Sequence, residues 1–178
     1  MVAYVELLPD SKILSSVTGF ESVLILGCRG CANACIAYQK NLPCDKLLTD
    51  KKTNIRKRSA YAIVKESNRI KNLLESIKIE ANVKVWKCPA WDLFIPSSGV
   101  RSLFPYEELI KTCSNADAVV TLCCSSGTLG VKKALGKSFK VIPGMKTLGW
   151  VYFHFIVDES GQFVLIDKDE SVITKLVR

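Results

Sequence analysis

The sequence of 178 residues predicts an α/β protein with a parallel sheet of about four strands and a C-terminal β-hairpin. Short apolar runs alternate with segments of helical periodicity, which is the pattern of parallel strands joined by crossover helices. The first run, Val23 to Leu26, is apolar throughout and ends at Gly27, as expected for a strand covered on both faces. A sheet covered in this way has three layers, so we expect a Rossmann-like or flavodoxin-like arrangement.

The elements after the first strand are predicted from residue spacing and from helix-end signals. Ile63, Ile70 and Leu74 recur on one helical face, and Pro105 begins a shorter helix with acidic residues in its first turn. The predicted elements are a helix at 59–77, a strand at 83–86, a helix at 105–113, a strand at 118–122, a helix at 127–135 and a strand beginning at 141–142. Residues 41–58 have no regular pattern and are predicted to form a mobile loop.

The C-terminal part of the chain predicts a hairpin. Apolar segments at 150–157 and 163–166 flank the turn sequence Asp158-Glu159-Ser160-Gly161-Gln162. We therefore expect one domain over residues 1–178, with a cysteine-bearing core at 20–150 and the hairpin and tail at 150–178. His154 lies in the first of these two strands, and we expect a half-buried imidazole there.

The composition excludes several classes of protein. Hydrophobic residues make up 48% of the chain and charged residues 24%, which excludes collagen-like and disordered sequences. The sequence contains no apolar run of the roughly 18 residues that a membrane helix needs, and no signal-peptide pattern begins it. We expect a cytoplasmic protein with no membrane association. A single histidine excludes a histidine-rich metal site.

Eight cysteines are the strongest functional signal. In a reducing compartment, clustered thiols more often serve metals or redox chemistry than structural bridges. Cys28 and Cys31 follow the first predicted strand, Cys88 follows the second, and Cys124 follows the third. The carboxyl ends of parallel strands lie along one edge of a sheet, so we predict that these four thiols form a metal site there.

The other cysteines have less definite predictions. Cys35 lies one helical turn beyond Cys31, and Cys123 precedes Cys124, so both are further candidate ligands. Because side chains alternate along a strand, we expect only one of Cys123 and Cys124 to coordinate. Cys113 is predicted to lie in the core, and no role is assigned to Cys44. The small residues expected to bind the cofactor through their backbone are Gly27, Gly30, Ser125, Ser126 and Gly127.

Four converging thiolates are typical of a [4Fe-4S] cluster, and a tetrahedral zinc ion is the alternative. Helix N-termini at this edge are expected to lower the pKa values of the thiols. A third interpretation is a dithiol oxidoreductase in which Cys28 is the nucleophile and Cys31 the resolving thiol. The sequence indicates no catalytic acid or base, so we favour a non-catalytic protein over an enzyme.

The chain is basic, with 25 lysines and arginines against 17 acidic residues. A run without acidic residues contains Lys51, Lys52, Arg56, Lys57 and Arg58. A solvated loop is one interpretation of such a run, and docking of an acidic protein partner or electron carrier is the other. No nucleic-acid-binding motif accompanies it, so nucleic acid is not the expected partner.

The cysteine motifs also resemble a known family. The sequence contains VLILGCRGCANAC, then an isolated Cys88, then ADAVVTLCCSSG and VIPGMKTLGW. This order is similar to the N-terminal domain of the iron–sulfur accessory subunit of methylenetetrahydrofolate reductases over roughly residues 20–150. Ser125 replaces a glycine of the family pattern, and the family's cysteine-rich tail is missing. The resemblance implies an iron–sulfur accessory or electron-transfer protein of anaerobic one-carbon (folate or pterin) metabolism, which would serve a partner oxidoreductase.

Overall fold

The computed structural model describes residues 2–49, 56–86, 106–137 and 139–176. Within these ranges the chain forms a mixed α/β structure with two sheets, one parallel and one antiparallel. The strands are β1 (Val2–Leu7), β2 (Ser22–Cys28), β3 (Asp45–Thr49), β4 (Arg56–Ala60), β5 (Glu80–Trp86), β6 (Ala118–Leu122), β7 (Lys140–Pro143), β8 (Met145–Val157) and β9 (Phe163–Lys175).

The predicted parallel sheet of four strands is confirmed, with the order β5-β2-β6-β7. Its first strand in the chain, β2, therefore lies between the second and the third. The alternation of side chains along β2 divides the core into two clusters, because Val23 and Ile25 pack on one face and Leu24 and Leu26 on the other. All four residues are at most 1% exposed, which explains why this strand is apolar throughout.

Five helices are described: α1 (Asp10–Val17), α2 (Cys31–Lys40), α3 (Ala62–Ser76), α4 (Tyr106–Cys113) and α5 (Ser125–Leu135). The helix predicted at 59–77 is α3, whose buried face includes Ile63, Ile70 and Leu74. The predicted start of α5 after Gly127 is wrong, because the helix begins at Ser125 directly after β6. Gly127 lies in its first turn, and Gly136 ends the helix at a positive φ of 71°.

The antiparallel sheet has the order β1-β8-β9-β3-β4, and only part of it was predicted. The C-terminal hairpin is confirmed as β8 and β9, although both strands are longer than predicted. The prediction of an irregular loop at 41–58 is wrong for its described part. Asp45 pairs with Ala60 across β3 and β4, and with Val164 of β9. β4 is the edge strand of the sheet, and edge strands often carry charged side chains. Its sequence therefore lacks the apolar pattern that would have predicted a strand.

The backbones of β1, β8 and β9 lie close together at Gly149 of β8. A Cβ atom at this position would lie 2.0 Å from the carbonyl oxygen of Thr174. Only glycine allows β8 to pair with β1 and β9 at this point. Among the described residues, no helix is both long enough and apolar enough to cross a membrane.

Candidate functional site

Three strands of the parallel sheet end side by side. Cys28, the last residue of β2, pairs with Trp86 at the end of β5, and Gly27 pairs with Leu122 at the end of β6. The order of strands along the chain reverses between β2 and β6. In open α/β sheets, ligands bind outside the carboxyl ends of the strands at this switch point. Cys28 and the Cys123-Cys124 pair flank it.

Two thiols from distant parts of the chain are in contact at this edge. Cys31 is the first residue of α2, and Cys124 is the N-cap residue of α5. Their side chains are hydrogen-bonded to each other, and Cys28 is close enough to interact electrostatically with Cys31. The Cys28 Sγ also accepts a hydrogen bond of 3.4 Å from the amide of Gly30. Two of the four predicted ligands are therefore in contact, and Cys28 is nearby.

Cys88, the fourth predicted ligand, lies outside the described residues. Cys88 comes two residues after Trp86 in the sequence, and Trp86 pairs with Cys28. In the parts of the chain that the structure describes, no group of three or more cysteine, histidine, aspartate or glutamate side chains is arranged so that it could hold a metal ion. The sulfur donors that are present match the preference of iron–sulfur clusters and zinc in chemical type.

Strand β1 covers the thiols from the side of the antiparallel sheet. The Cys35 Sγ accepts a hydrogen bond of 3.4 Å from the amide of Val5 and donates one of 3.5 Å to the carbonyl oxygen of Ala3. The backbone of Ala3 also hydrogen-bonds to Cys31. Cys35 is thus buried and bonded to backbone, although it lies close enough to Cys124 to interact electrostatically.

The expectation of lowered thiol pKa values is wrong for Cys31 and Cys35. The pKa of Cys31 is raised well above its usual range by its hydrogen bond to Cys124, by burial and by the charge of that same neighbour. Burial, followed by the nearby Cys124 and Glu6, raises the pKa of Cys35 to about 12, although the Val5 amide opposes the shift. Burial and neighbouring sulfurs therefore outweigh the helix N-termini.

The cysteines away from this contact have separate environments. The Cys123 Sγ donates to the carbonyl oxygen of Leu26 over 3.8 Å, so Cys123 and Cys124 have different partners. Cys113 is completely buried in the core, as predicted, and burial raises its pKa to about 11. Cys44 is buried next to Asn33, and its pKa is raised to about 12, chiefly by burial.

Asn33 is a polar residue that the sequence analysis missed. Its Nδ2 donates to the carbonyl oxygen of Cys44 at 2.9 Å and to Asp45 at 3.0 Å, and its Oδ1 accepts the amide of Ile63 at 2.9 Å. The side chain thus ties α2 to β3 and to the start of α3. Its only signal in the sequence is a polar residue inside the otherwise small and apolar segment CANACIA.

The small residues predicted to bind a cofactor have structural partners. A Cβ on Gly27 would lie 2.9 Å from Ile63 Cγ1 and 3.0 Å from Ser67 Oγ, so a glycine lets α3 pack closely on β2. The amide of Ser125 donates to the hydroxyl of Thr147 at 2.9 Å. In the described chain, Gly30 is exposed at the start of α2, Ser126 is half-buried, and Gly127 is buried in α5.

The basic run is only partly described. Lys51 and Lys52 lie outside the described residues, and Arg56 begins β4. Lys57 and Arg58 are exposed on β4, and Arg58 is close enough to Asp45 to lower the pKa of that carboxyl, although burial raises it more. His154 is exposed rather than half-buried, because β8 turns this side chain to the surface.

Comparison of the chain with models of protein families, with curated proteins and with solved structures finds no match in any of the three.

Proposed function

We propose that this chain is an iron–sulfur protein whose [4Fe-4S] cluster is held by Cys28, Cys31, Cys88 and Cys124. The observation that carries this proposal is the contact between the Cys31 and Cys124 thiols, with Cys28 beside them, at the switch point of the parallel sheet. Cys35 and Cys123 each donate to a backbone carbonyl oxygen, which a metal-bound thiolate cannot do, and this favours Cys124 and Cys31 as ligands over these two.

The electrostatics of the site support a cationic occupant. Gathering thiols in a buried place raises their pKa values, because several thiolates repel one another and lose their hydration. A bound metal centre reverses this effect, since its positive charge stabilises coordinated thiolates. Zinc would use the same sulfur donors and is the alternative occupant.

The strand order supports a finer assignment of the fold. Numbered along the parallel sheet alone, the strands have the order 2-1-3-4, which agrees with the first four strands of flavodoxin-like sheets. Apolar clusters on both faces of β2 fit a three-layer Rossmann-like core. We propose that this core and the antiparallel sheet form a single domain.

The proposed role is electron transfer or accessory support of a partner oxidoreductase, without catalysis by this chain. The resemblance in the cysteine motifs suggests anaerobic one-carbon metabolism of folates or pterins, and hence a cytoplasmic location. The basic residues of β4 would contact an acidic protein partner or electron carrier.

A dithiol oxidoreductase is the second candidate, and the same contact supports it with a different pair of residues. Cys31 and Cys124 would form the redox pair, rather than Cys28 and Cys31. The two thiols would lose two protons and two electrons and form one disulfide bond. The substrate disulfide would accept both and become two thiols.

Anaerobic reconstitution with iron and sulfide tests the iron–sulfur proposal. The wild-type protein should bind about four irons and develop the broad visible absorption of a cluster. Cys31→Ser and Cys124→Ser should each remove most of this absorption, and Cys88→Ser should do the same. Cys113→Ala is the matched control, because it removes a buried cysteine outside the site.

Other outcomes separate the alternatives. Wild-type protein without iron or visible absorption would refute the cluster, and stoichiometric zinc in its place would identify a zinc site. If metal is absent and a Cys31–Cys124 disulfide forms reversibly in the Cys88→Ser variant, the dithiol function is correct. Equal iron loss in Cys113→Ala would mean that the variants only unfold the protein.

A further inference from the structure

A cleft of about 480 Å³ lies between the start of α2 and the antiparallel sheet. This volume is within the range of about 300–1,000 Å³ that is typical of small-molecule sites. Its lining is mainly apolar and aromatic, with a few polar groups. Its polar and sulfur-bearing residues are Arg29, Cys31, Asn33, Cys44, Asp45 and Arg58. Its composition therefore fits a ligand that is apolar over much of its surface and charged at one end.

Aromatic side chains from β8 form one wall. Tyr152, Phe153 and Phe155 all line the cleft, although adjacent residues of a regular strand face opposite sides. The pairing with β9 shifts register between Tyr152 and His154, and such irregularities redirect side chains. Phe153 is buried and meets Phe155 edge to face at 6.2 Å, which holds this wall in position. Tyr152 is 62% exposed and Phe155 42% exposed, so both have ring surface available to a flat ligand.

Two arginines, Arg29 and Arg58, also line the cleft. Arg29 Nη2 donates to the carbonyl oxygen of Arg58 at 3.1 Å, which orients the Arg29 side chain. Neither guanidinium forms an ion pair with an acidic group in the described part of the chain. Asp45 is the one acidic residue among the described lining, and the amide of Asn33 holds it at 3.0 Å. The lining thus has an excess of positive charge beside one fixed hydrogen-bond acceptor.

We infer that this cleft binds a mononucleotide, with the base against Tyr152 and Phe155 and the phosphate on Arg29 and Arg58. Guanidinium groups match phosphate geometry through paired hydrogen bonds, and aromatic rings stack on bases of any identity. Asp45 accepts a hydrogen bond from a ribose hydroxyl or a base N–H. This inference does not require the cluster, because none of these groups is a proposed metal ligand.

Calorimetric titration with AMP, GMP, CMP, UMP and FMN, each beside its own nucleoside, tests the inference. At least one nucleotide should bind with a dissociation constant below about 1 mM. Its nucleoside should bind about tenfold more weakly or worse, because the charge-assisted bonds to phosphate are lost. Binding should weaken as salt is raised. Failure of all five nucleotides, or equal binding of nucleotide and nucleoside, would overturn the inference.

Matched variants locate the site. Arg29→Met and Arg58→Met should each weaken nucleotide binding about tenfold. Lys133→Met removes one exposed positive charge on α5 and should leave binding unchanged. Tyr152→Ala should weaken binding of nucleotide and nucleoside alike, because it removes the stacking surface. An equal loss in Lys133→Met would show non-specific attraction and refute the cleft. The same titrations on metal-free wild-type protein should give unchanged affinities, so failure of the cluster and failure of this inference are separable.

Discussion

A network of ion pairs between single side chains links three helices of this protein. Asp10 begins α1, and its carboxylate accepts two hydrogen bonds from Arg69 of α3, at 2.7 and 2.8 Å. Arg69 also contacts Glu66, which is 2% exposed and pairs with Lys40 of α2. This network joins three helices around one buried carboxylate. Lys40 and Arg69 balance the buried negative charge of Glu66. Because both positive side chains are partly exposed, they keep part of their hydration, and the desolvation cost of the network is moderate.

At the residue scale, we predict that Asp10→Asn lowers the free energy of unfolding by less than about 1 kcal/mol at pH 7, since the pair is partly exposed. The hydrogen bonds from Arg69 lower the pKa of Asp10 below its ordinary value of 3.8. The stabilisation is therefore complete above pH 3.8 and disappears as the pH falls through the folded-state pKa. Urea unfolding of both proteins at several pH values measures this difference.

The exposed Asp169 in the C-terminal hairpin provides the control. Asp169→Asn should change the stability at pH 7 by less than Asp10→Asn does. A difference between wild type and Asp10→Asn that persists well below the folded-state pKa would contradict the assignment of the effect to the Arg69 pair.

At the element scale, strand β4 (Arg56–Ala60) combines two properties that suggest opposite roles. It is the edge strand of the antiparallel sheet, and charged residues on an edge strand discourage pairing with other chains. The same charges would attract an acidic partner. Protection of the edge depends on charge of either sign, whereas docking depends on positive charge. Reversal of one charge therefore separates the two roles.

We predict that Lys57→Glu weakens binding to an acidic ferredoxin, used as the probe, by about threefold or more, because it reverses one rim charge. Raised salt should weaken wild-type binding as well. Lys132→Glu on α5 is the matched control and should have a smaller effect. Binding by surface plasmon resonance measures both. Unchanged affinity in Lys57→Glu, together with self-association of Lys57→Val, would assign the charges to edge protection alone.

At the scale of the whole molecule, the candidate thiol site lies where the two sheets meet. Cys28 and Cys124 belong to the edge of the parallel sheet, and β1 of the antiparallel sheet covers Cys35. Gln39 Nε2 also donates to the carbonyl oxygen of Val5 at 2.6 Å, which ties α2 to the same strand. An occupant of the site would therefore connect elements of both sheets indirectly.

We predict that cluster loading raises the melting temperature of the protein by about 5–10 °C, since a ligand that binds only the folded state stabilises it. Destruction of the cluster by oxidation and chelation should reverse the increase. Anaerobic calorimetry of loaded and apo protein measures it. Cys31→Ser treated in the same way should show no increase. If the loaded protein and the apo protein have the same melting temperature, this result would contradict a site shared between the sheets.

The sequence by itself determined the parallel sheet, the C-terminal hairpin and the positions of Cys28 and Cys124 at strand ends. These features depend on local signals, because apolar runs and the residues directly after them lie within a few positions of each other. The burial of Cys113 on α4 was predictable for the same reason.

The tertiary structure alone decided the second sheet, the contact of Cys31 with Cys124 and the aromatic–arginine cleft. β3 becomes a strand because β9 pairs with it from the far end of the chain, and β4 pairs in turn with β3. The pKa of Cys31 rises rather than falls because the hydrogen bond to a second thiol and then burial, both products of long-range packing, outweigh the helix N-terminus next to it. Such contacts join residues that no sequence window contains, so only the folded chain brings their charges and rings together.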